Sequence, residues 1–252
     1  MKIRAIFADY DGTLSPAQVP REEAAIPLNL LRVLQNLSGK IPIAVITTKD
    51  LGFVKERVPF AHAIAAVCGL ELQIGAKLVL DQRVEGKIEL VNSAYNDVVK
   101  NIAKMDDKII VERKTAGKGD LVAFCVDWRM SHNWGESKRI VKRVLTKCKN
   151  LGLYVVESNL HPFADIYAMK VDKGTAFLRM KRGLGLDGPI MYLGDSEADN
   201  AAFKLADVSI GIKYGRPASN LQCQYHVNFD ELEGFLSNLL DSNLDFVPSM
   251  AR

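Results

Sequence analysis

The chain has 252 residues, 48% hydrophobic and 25% charged, with a formal net charge of +3. This balance suits one large or two modest globular domains with a substantial core, and so small a charge gives no argument for nucleic-acid or membrane-surface binding. No apolar run approaches the roughly 20 residues that span a bilayer, the N-terminal MKIRAIFADYDGT is too short and too interrupted for a signal peptide, and Cys68, Cys125, Cys148 and Cys223 form neither a CxxC pair nor a zinc framework, so buried thiols in a reducing cytoplasm are expected.

Residues 2–8, KIRAIFA, read as a short buried strand, followed by the turn-rich DYDGTLSP. Leu30, Leu31, Leu34 and Leu37 carry helical spacing across 22–37, which Ser38-Gly39 ends. IPIAVIT (41–47) is a second apolar strand, 50–58 a short helix, and AIAAVC (63–68) a third strand stopped at Gly69. Strands and helices alternating in this way imply a parallel sheet with right-handed crossovers.

Beyond Gly69 the rhythm changes. KLVLD (77–81) and KIELV (87–91) read as a hairpin, and 93–104 as a helix. KIIVERK (108–114) and LVAFCVDWR (121–129) read as a second hairpin, 135–149 as a basic amphipathic helix, and LYVVES (153–158) with ADIYAMK (164–170) as a third strand pair. The first rhythm returns with a helix over 173–182, strand PIMYLG (189–194), a helix over 197–206, strands VSIGI (208–212) and YHVNF (225–229), and a last helix at 230–240 before a tail expected to fray. The expected fold class is α/β: a Rossmann-like parallel-sheet core built from 1–72 and 170–252, with an inserted α+β domain at 73–169.

The acidic residues are placed for chemistry. Asp9 and Asp11 follow the first strand, and Asp195 and Asp199 follow the strand 189–194. Thr47 ends the second strand, and Lys173 opens the first helix after the insertion. In open α/β sheets, ligands bind outside the carboxyl ends of strands near a topological switch point. These groups are therefore expected to converge on one crevice. Two carboxylates ~4 Å apart repel by about 4 kcal/mol at an effective dielectric of ~20. An all-oxygen acidic cluster becomes tolerable around a hard cation such as Mg²⁺. Taken singly, Asp-Gly after a strand reads as a turn, and Asp199 or Lys173 as a helix-end charge; it is the joint set that points to a site.

DYDGTLSP resembles the first motif, DxDGT, of the haloacid dehalogenase superfamily. Thr47 in VITTKD resembles its second motif, Lys173 in VDKGTAF its third, and GDSEAD (194–199) its fourth. The resemblance implies a magnesium-dependent phosphohydrolase. Asp9 would attack phosphorus and form an aspartyl-phosphate, and Asp11 would act as acid and then base. Thr47 and Lys173 would bind phosphoryl oxygens. Asp9, the main-chain carbonyl of Asp11 and Asp195 would hold Mg²⁺, with Asp199 completing the site directly or through water. An insertion between the second and third motifs is the position of this superfamily's larger cap, which closes over the site and selects the substrate.

Within the superfamily, the chain resembles the trehalose-6-phosphate phosphatases. DYDGTLSP is their usual first motif, IIVERK followed by VAFCVDWR resembles their cap hairpin, and ADIYAMKVDKGTA resembles the segment carrying their third motif. This implies that Glu112, Lys114 and Arg129 contact the sugar or its phosphate, that Asp165 replaces a Glu, and that Thr48 lies in the substrate site. Period-2 alternation puts Glu112 with Lys114, and Asp127 with Arg129, on a common face. There are departures: Asp127 stands in place of a His, and Thr48-Lys49 in place of Gly-Arg. The expected partner is a small sugar phosphate, with trehalose 6-phosphate first. The alternatives are sucrose-phosphate or mannosyl-3-phosphoglycerate phosphatases, a phosphomannomutase-like phosphotransferase, and a non-catalytic sugar-phosphate sensor. No nucleic-acid or membrane partner is expected, and the oligomeric state is left open. His62, His132, His161 and His226 read as structural or surface residues, and Trp128 and Trp134 as packing.

Overall fold

The computed structural model describes residues 1–17, 19–102, 106–131, 134–157, 162–215 and 220–251. It divides into two compact units, Met1–Val79 with Asp172–Arg252, and Leu80–Val171.

The first unit begins with β1 (Ala5–Ala8), whose four side chains are all buried, as a central parallel strand requires. α1 (Leu28–Ser38) starts later than the leucine spacing predicts. Pro27 occupies its N-cap with extended backbone, and the residue before a proline is biased away from helix. Arg21–Glu23 form only a separate 3-10 turn. β2 (Ile43–Ile46), α2 (Leu51–Val54) and β3 (Ala63–Ala66) follow. Asp50 caps α2 by accepting the Phe53 N–H at 2.9 Å.

The hairpin expected at 77–91 lies earlier in the chain. β4 (Glu71–Ile74) turns at Gly75 (φ +56°) into β5 (Lys77–Leu80), and β4 runs antiparallel to β3. The segment KIELV opens a helix instead, α3 (Ile88–Ile102). Its buried positions, Val91, Ala94, Val98 and Ile102, follow helical spacing, and that longer pattern overrides the short apolar run.

The second unit holds α3, β6 (Ile110–Ala116), β7 (Asp120–Asp127), α4 (Trp134–Asn150), β8 (Tyr154–Glu157) and β9 (Phe163–Tyr167). Its antiparallel sheet has the order β6-β7-β9-β8.

The first unit resumes with α5 (Lys173–Gly183), β10 (Ile190–Gly194), α6 (Asn200–Phe203), β11 (Val208–Lys213), β12 (Tyr225–Asn228) and α7 (Leu232–Asp241). Its eight-stranded sheet has the order β12-β11-β10-β1-β2-β3-β4-β5, with β12 through β3 parallel. The chain moves outward one way from β1 and the other way from β10. The β1/β10 boundary is thus the topological switch point. Phe7, Phe177, Tyr192 and Phe203 fill the core behind it, in edge contacts with ring centroids 4.9 to 6.2 Å apart. The tail is tied down where fraying was expected: Phe246 exchanges backbone hydrogen bonds with Met1 and is buried.

All four cysteines are free thiols, three of them buried. His62 Nδ1 accepts the Ile43 N–H at 3.2 Å, a structural role. His226 lies 3.4 Å from Cys223 Sγ, and Trp128 is buried. His132, His161 and the Trp134 side chain fall outside the described residues. No helix among the described residues is long and apolar enough to cross a membrane.

β3 stops because its next residues are left-handed: Val67 (φ 47°), Cys68 (φ 52°) and Gly69 (φ 87°). A β-branched residue in this region is a true outlier and needs its surroundings to impose it. Here the Val67 N–H donates to the Lys49 carbonyl and the Cys68 N–H to the Thr47 carbonyl, both at 2.8 Å. A Cβ on Gly69 would lie 2.8 Å from the Ala176 Cβ, so α5 packs directly on this turn. Gly69→Ala is therefore expected to lower stability by about 1–3 kcal/mol. Gly234→Ala, in α7 with open space at its Cβ, should raise stability by about 0.5–1 kcal/mol. Urea unfolding of both variants checks this; shifts of the same sign would contradict the assignment of strain to the 67–69 turn.

Candidate active site

Asp9 follows β1 and is held by its N–H donating to the Leu193 carbonyl of β10 at 2.9 Å. It therefore sits at the switch point, with 5% of its surface exposed. The chain then folds into a tight turn, in which the Leu14 and Ser15 N–H groups both donate to the Tyr10 carbonyl at 2.9 Å. Gly12 adopts φ +75°, and a Cβ there would lie 2.2 Å from Asp195 Oδ2. Only glycine allows the Asp195 carboxylate, just after β10, to approach this turn so closely.

Lys173 opens α5 behind an Asp172 N-cap, which accepts the Thr175 N–H at 2.7 Å. Its ammonium is 2% exposed and lies 2.8 Å from Asp9 Oδ2 and 2.7 Å from Asp199 Oδ1. Burial opposes its charge, but Asp199 and then Asp9 more than reverse that, and the net shift is upward. Burial pushes the Asp9 carboxyl up to about 7 despite the pull of Lys173. Asp195 is driven well above the ordinary carboxylate range by burial and then by Asp9 and Asp199. Both carboxyls are raised first by burial, with neighbouring carboxylates adding to it and Lys173 only partly offsetting the rise.

Asp199 is fully buried. Its Oδ1 accepts from Lys173 and from the Tyr192 hydroxyl at 2.6 Å. Its Oδ2 accepts from the N–H groups of Asp195 at 3.2 Å and Ser196 at 3.1 Å, and from the Ser196 hydroxyl at 3.1 Å. A ligand atom from each of Asp9, Asp195 and Asp199 lies within 4.8 Å of the others. Thr47 is buried just beyond β2, and its Oγ1 accepts the Lys49 N–H at 3.1 Å, which leaves the hydroxyl proton to donate. Asp11 lies in the turn with its side chain 40% exposed, 3.9 Å from the Lys49 ammonium. Thr48 follows Thr47, half-buried.

The structure thus brings Asp9, Lys173, Asp195 and Asp199 into one cluster. Tyr192 and Ser196 also belong to it, although sequence reasoning passed over both. Ser196-x-x-Asp199 has capping-box spacing, a readable signal. Tyr192 has none, because an aromatic residue in an apolar strand reads as core.

In the inserted unit, strand register aligns Glu112 of β6, Cys125 of β7 and Asp165 of β9 in one row, and Lys114, Ala123 and Tyr167 in the next. Lys114 and Asp165 form a buried ion pair, and the Tyr167 hydroxyl donates to Asp165 at 3.2 Å. Burial works against the Lys114 charge, but Asp165 raises its pKa overall. Burial, then Asp165, pushes the Cys125 thiol well up. Arg129 is bound by Asp127, its Nη2 2.6 Å from Asp127 Oδ2 and its N–H 3.0 Å from Oδ1.

The parallel sheet with its inserted α+β unit is a haloacid dehalogenase-like fold, and an acid–lysine cluster sits at the switch point of that sheet. The chain is similar to the trehalose-phosphate phosphatases. It is 27% identical over 211 residues to probable trehalose-phosphate phosphatase I of Arabidopsis thaliana, covering 79% of this chain and 56% of that protein. It is 21% identical to a trehalose-6-phosphate phosphatase-related protein of Thermoplasma acidophilum, covering 88% of this chain and 90% of that one. The chain thus spans little more than half the length of the plant relative. A crystal structure of a trehalose-6-phosphate phosphatase-related protein superposes with a TM-score of 0.76 at 18% identity, covering 95% of this chain and 98% of that one. No protein-family model matches the chain.

Breaking one partner of a buried ion pair strands the other charge, at about 3–5 kcal/mol, whereas replacing both with apolar residues is near neutral. Lys114→Met should therefore destabilise the protein by about that amount, and Lys114→Met combined with Asp165→Leu should recover most of it. Denaturant unfolding distinguishes the two; equal losses would mean that the pair is not the source of the cost.

Proposed function

We propose that this chain is a magnesium-dependent phosphomonoester hydrolase that works through an aspartyl-phosphate on Asp9, with a small sugar phosphate as substrate and trehalose 6-phosphate as the first choice. The observation that carries the reading is the Lys173 ammonium, shared between Asp9 and Asp199 at 2.8 and 2.7 Å at the switch point of the sheet.

The donor set fits a divalent hard cation. It is all oxygen, with one carboxylate atom from each of Asp9, Asp195 and Asp199 within 4.8 Å of the others. Asp9, Asp195 and the Asp11 carbonyl would hold the ion. Asp199, with its oxygens already accepting five donors, would stand behind them. Bound Mg²⁺ neutralises charge on the phosphoryl group and keeps Asp9 ionised.

One oxygen of Asp9 attacks phosphorus, and the bond to the sugar oxygen breaks. Asp11 gives that leaving oxygen its proton. It then takes a proton from the water that attacks the aspartyl-phosphate, so that phosphate leaves and Asp9 is restored. Thr47 donates its hydroxyl, and Lys173 its ammonium, to phosphoryl oxygens. An acid at Asp11 suits an oxygen leaving group and argues for phosphate chemistry over dehalogenation.

The sugar assignment rests on the names of the relatives and on the inserted unit. Lys114 and Asp165 satisfy each other, so we assign them to holding the sheet face, with Glu112, Arg129 and Thr48 contacting substrate. Asp127, a departure from the resembled pattern, pairs with Arg129 at 2.6 Å, and this makes substrate choice the point to test.

Phosphate release should be measured with trehalose 6-phosphate, sucrose 6-phosphate, mannosyl-3-phosphoglycerate and hexose phosphates. The expected result is preference for trehalose 6-phosphate, loss of activity in EDTA with recovery on adding Mg²⁺, and a loss of at least about 1,000-fold in Asp9→Asn. Full activity without metal, or wild-type rates in Asp9→Asn, would overturn the mechanism. Uniformly weak turnover would overturn only the choice of sugar. Arg129→Ala should lower kcat/KM for the preferred sugar phosphate by roughly 10–100-fold, the loss of hydrogen bonds to a charged group, and leave p-nitrophenyl phosphate nearly unaffected. Equal losses on both would remove Arg129 from recognition.

A further inference from the structure

The Tyr192 hydroxyl lies in the third strand position of β10, fully buried and facing Asp199. A buried tyrosine oxygen needs a partner, and a buried carboxylate needs donors. Here each meets the other at 2.6 Å, on the same Asp199 oxygen that receives Lys173. The other oxygen is claimed by the 195–196 turn and Ser196. Five donors therefore fix the carboxylate, close to the four lone-pair directions such a group offers. Asp199 cannot turn toward a cation without giving up one of them.

The consequence runs to Asp9. Lys173 has one ammonium, and its two acceptors are Asp199 Oδ1 and Asp9 Oδ2. The orientation of Asp199 decides where that ammonium stands. The Tyr192 ring is in turn held by edge contacts with Phe177 at 6.2 Å and Phe203 at 5.5 Å. A rigid aromatic wall thus sets the direction of a lysine two groups away.

We propose that Tyr192 is a positioning residue: its hydroxyl holds the Asp199 carboxylate so that Lys173 is aimed at Asp9 and at the phosphoryl oxygens beside it. The proposal deepens the hydrolase reading and rests on it for its kinetic consequence. It assigns Asp199 to aiming Lys173, leaving Asp9 and Asp195 as the side chains that face the ion.

Tyr192→Phe removes only the hydroxyl. The expected result is a fall in kcat of roughly 10-fold, the loss of one hydrogen bond to a charged group, with KM for the substrate and the Mg²⁺ concentration for half-activation both nearly unchanged. Phe235→Leu, buried in α7 and packed edge-on against Phe246, is the control for packing: it should lower the melting temperature while keeping wild-type kcat. Wild-type kcat in Tyr192→Phe, or an equal loss of kcat in Phe235→Leu, would overturn the positioning role. The second measurement is the crystal structure of metal-free Tyr192→Phe. There the Asp199 carboxylate should rotate, and Lys173 Nζ should leave hydrogen-bond distance of Asp9. An unchanged Asp9–Lys173–Asp199 triad would overturn the proposal. If the wild-type protein releases phosphate from no substrate, the hydrolase reading fails, and this structural result alone decides the role of Tyr192.

Discussion

A single ammonium, that of Lys173, is buried between two carboxylates that belong to different parts of the chain. Asp9 comes from the end of β1, Asp199 from the turn after β10, and Lys173 from the start of α5. Burying three charges is costly unless each is paired and hydrogen-bonded. The surrounding structure meets that condition for Asp199 through Tyr192, Ser196 and the 195–196 N–H groups, and for Asp9 through the Lys173 ammonium itself. Burial nonetheless leaves the Asp9 and Asp195 carboxyls raised, with neighbouring carboxylates adding to the rise.

The backbone carries part of the same demand. Gly12 admits the Asp195 carboxylate, and Gly69 admits α5, whose first residue is Lys173. Val67 and Cys68 accept left-handed backbone to bring N–H groups onto the Thr47–Lys49 loop. Strain at these turns and burial at the charge cluster are two costs of one arrangement, and both are offset by the apolar sheet behind them.

Much of this was legible in the sequence. The short apolar strands stood out because strands buried on both faces carry no polar alternation; Asp9, Thr47 and the 195–199 acids stood out because they fall where such strands end, and Lys173 because it opens the first helix after the insertion. What was misread had physical causes. The segment KIELV fits a strand over five residues and a helix over fifteen, and the longer pattern governs. Pro27 delays α1, a local effect that leucine spacing alone does not register. Lys114 read as part of a polar patch, but it is buried because Asp165 lies two strands away in the sheet, and that register is a tertiary fact. Tyr192 could not be told from a core aromatic, since only the fold places Asp199 against its hydroxyl.

Asp9 is the group proposed to receive phosphorus. The most direct measurement is to mix the protein with Mg²⁺ and a phosphorylated substrate, quench in acid within the first turnover, and map the peptides by mass spectrometry. The account predicts a phosphoryl adduct on Asp9 that forms and decays at rates compatible with turnover. Rapid phosphate release with no adduct, or an adduct on any other residue, would contradict it.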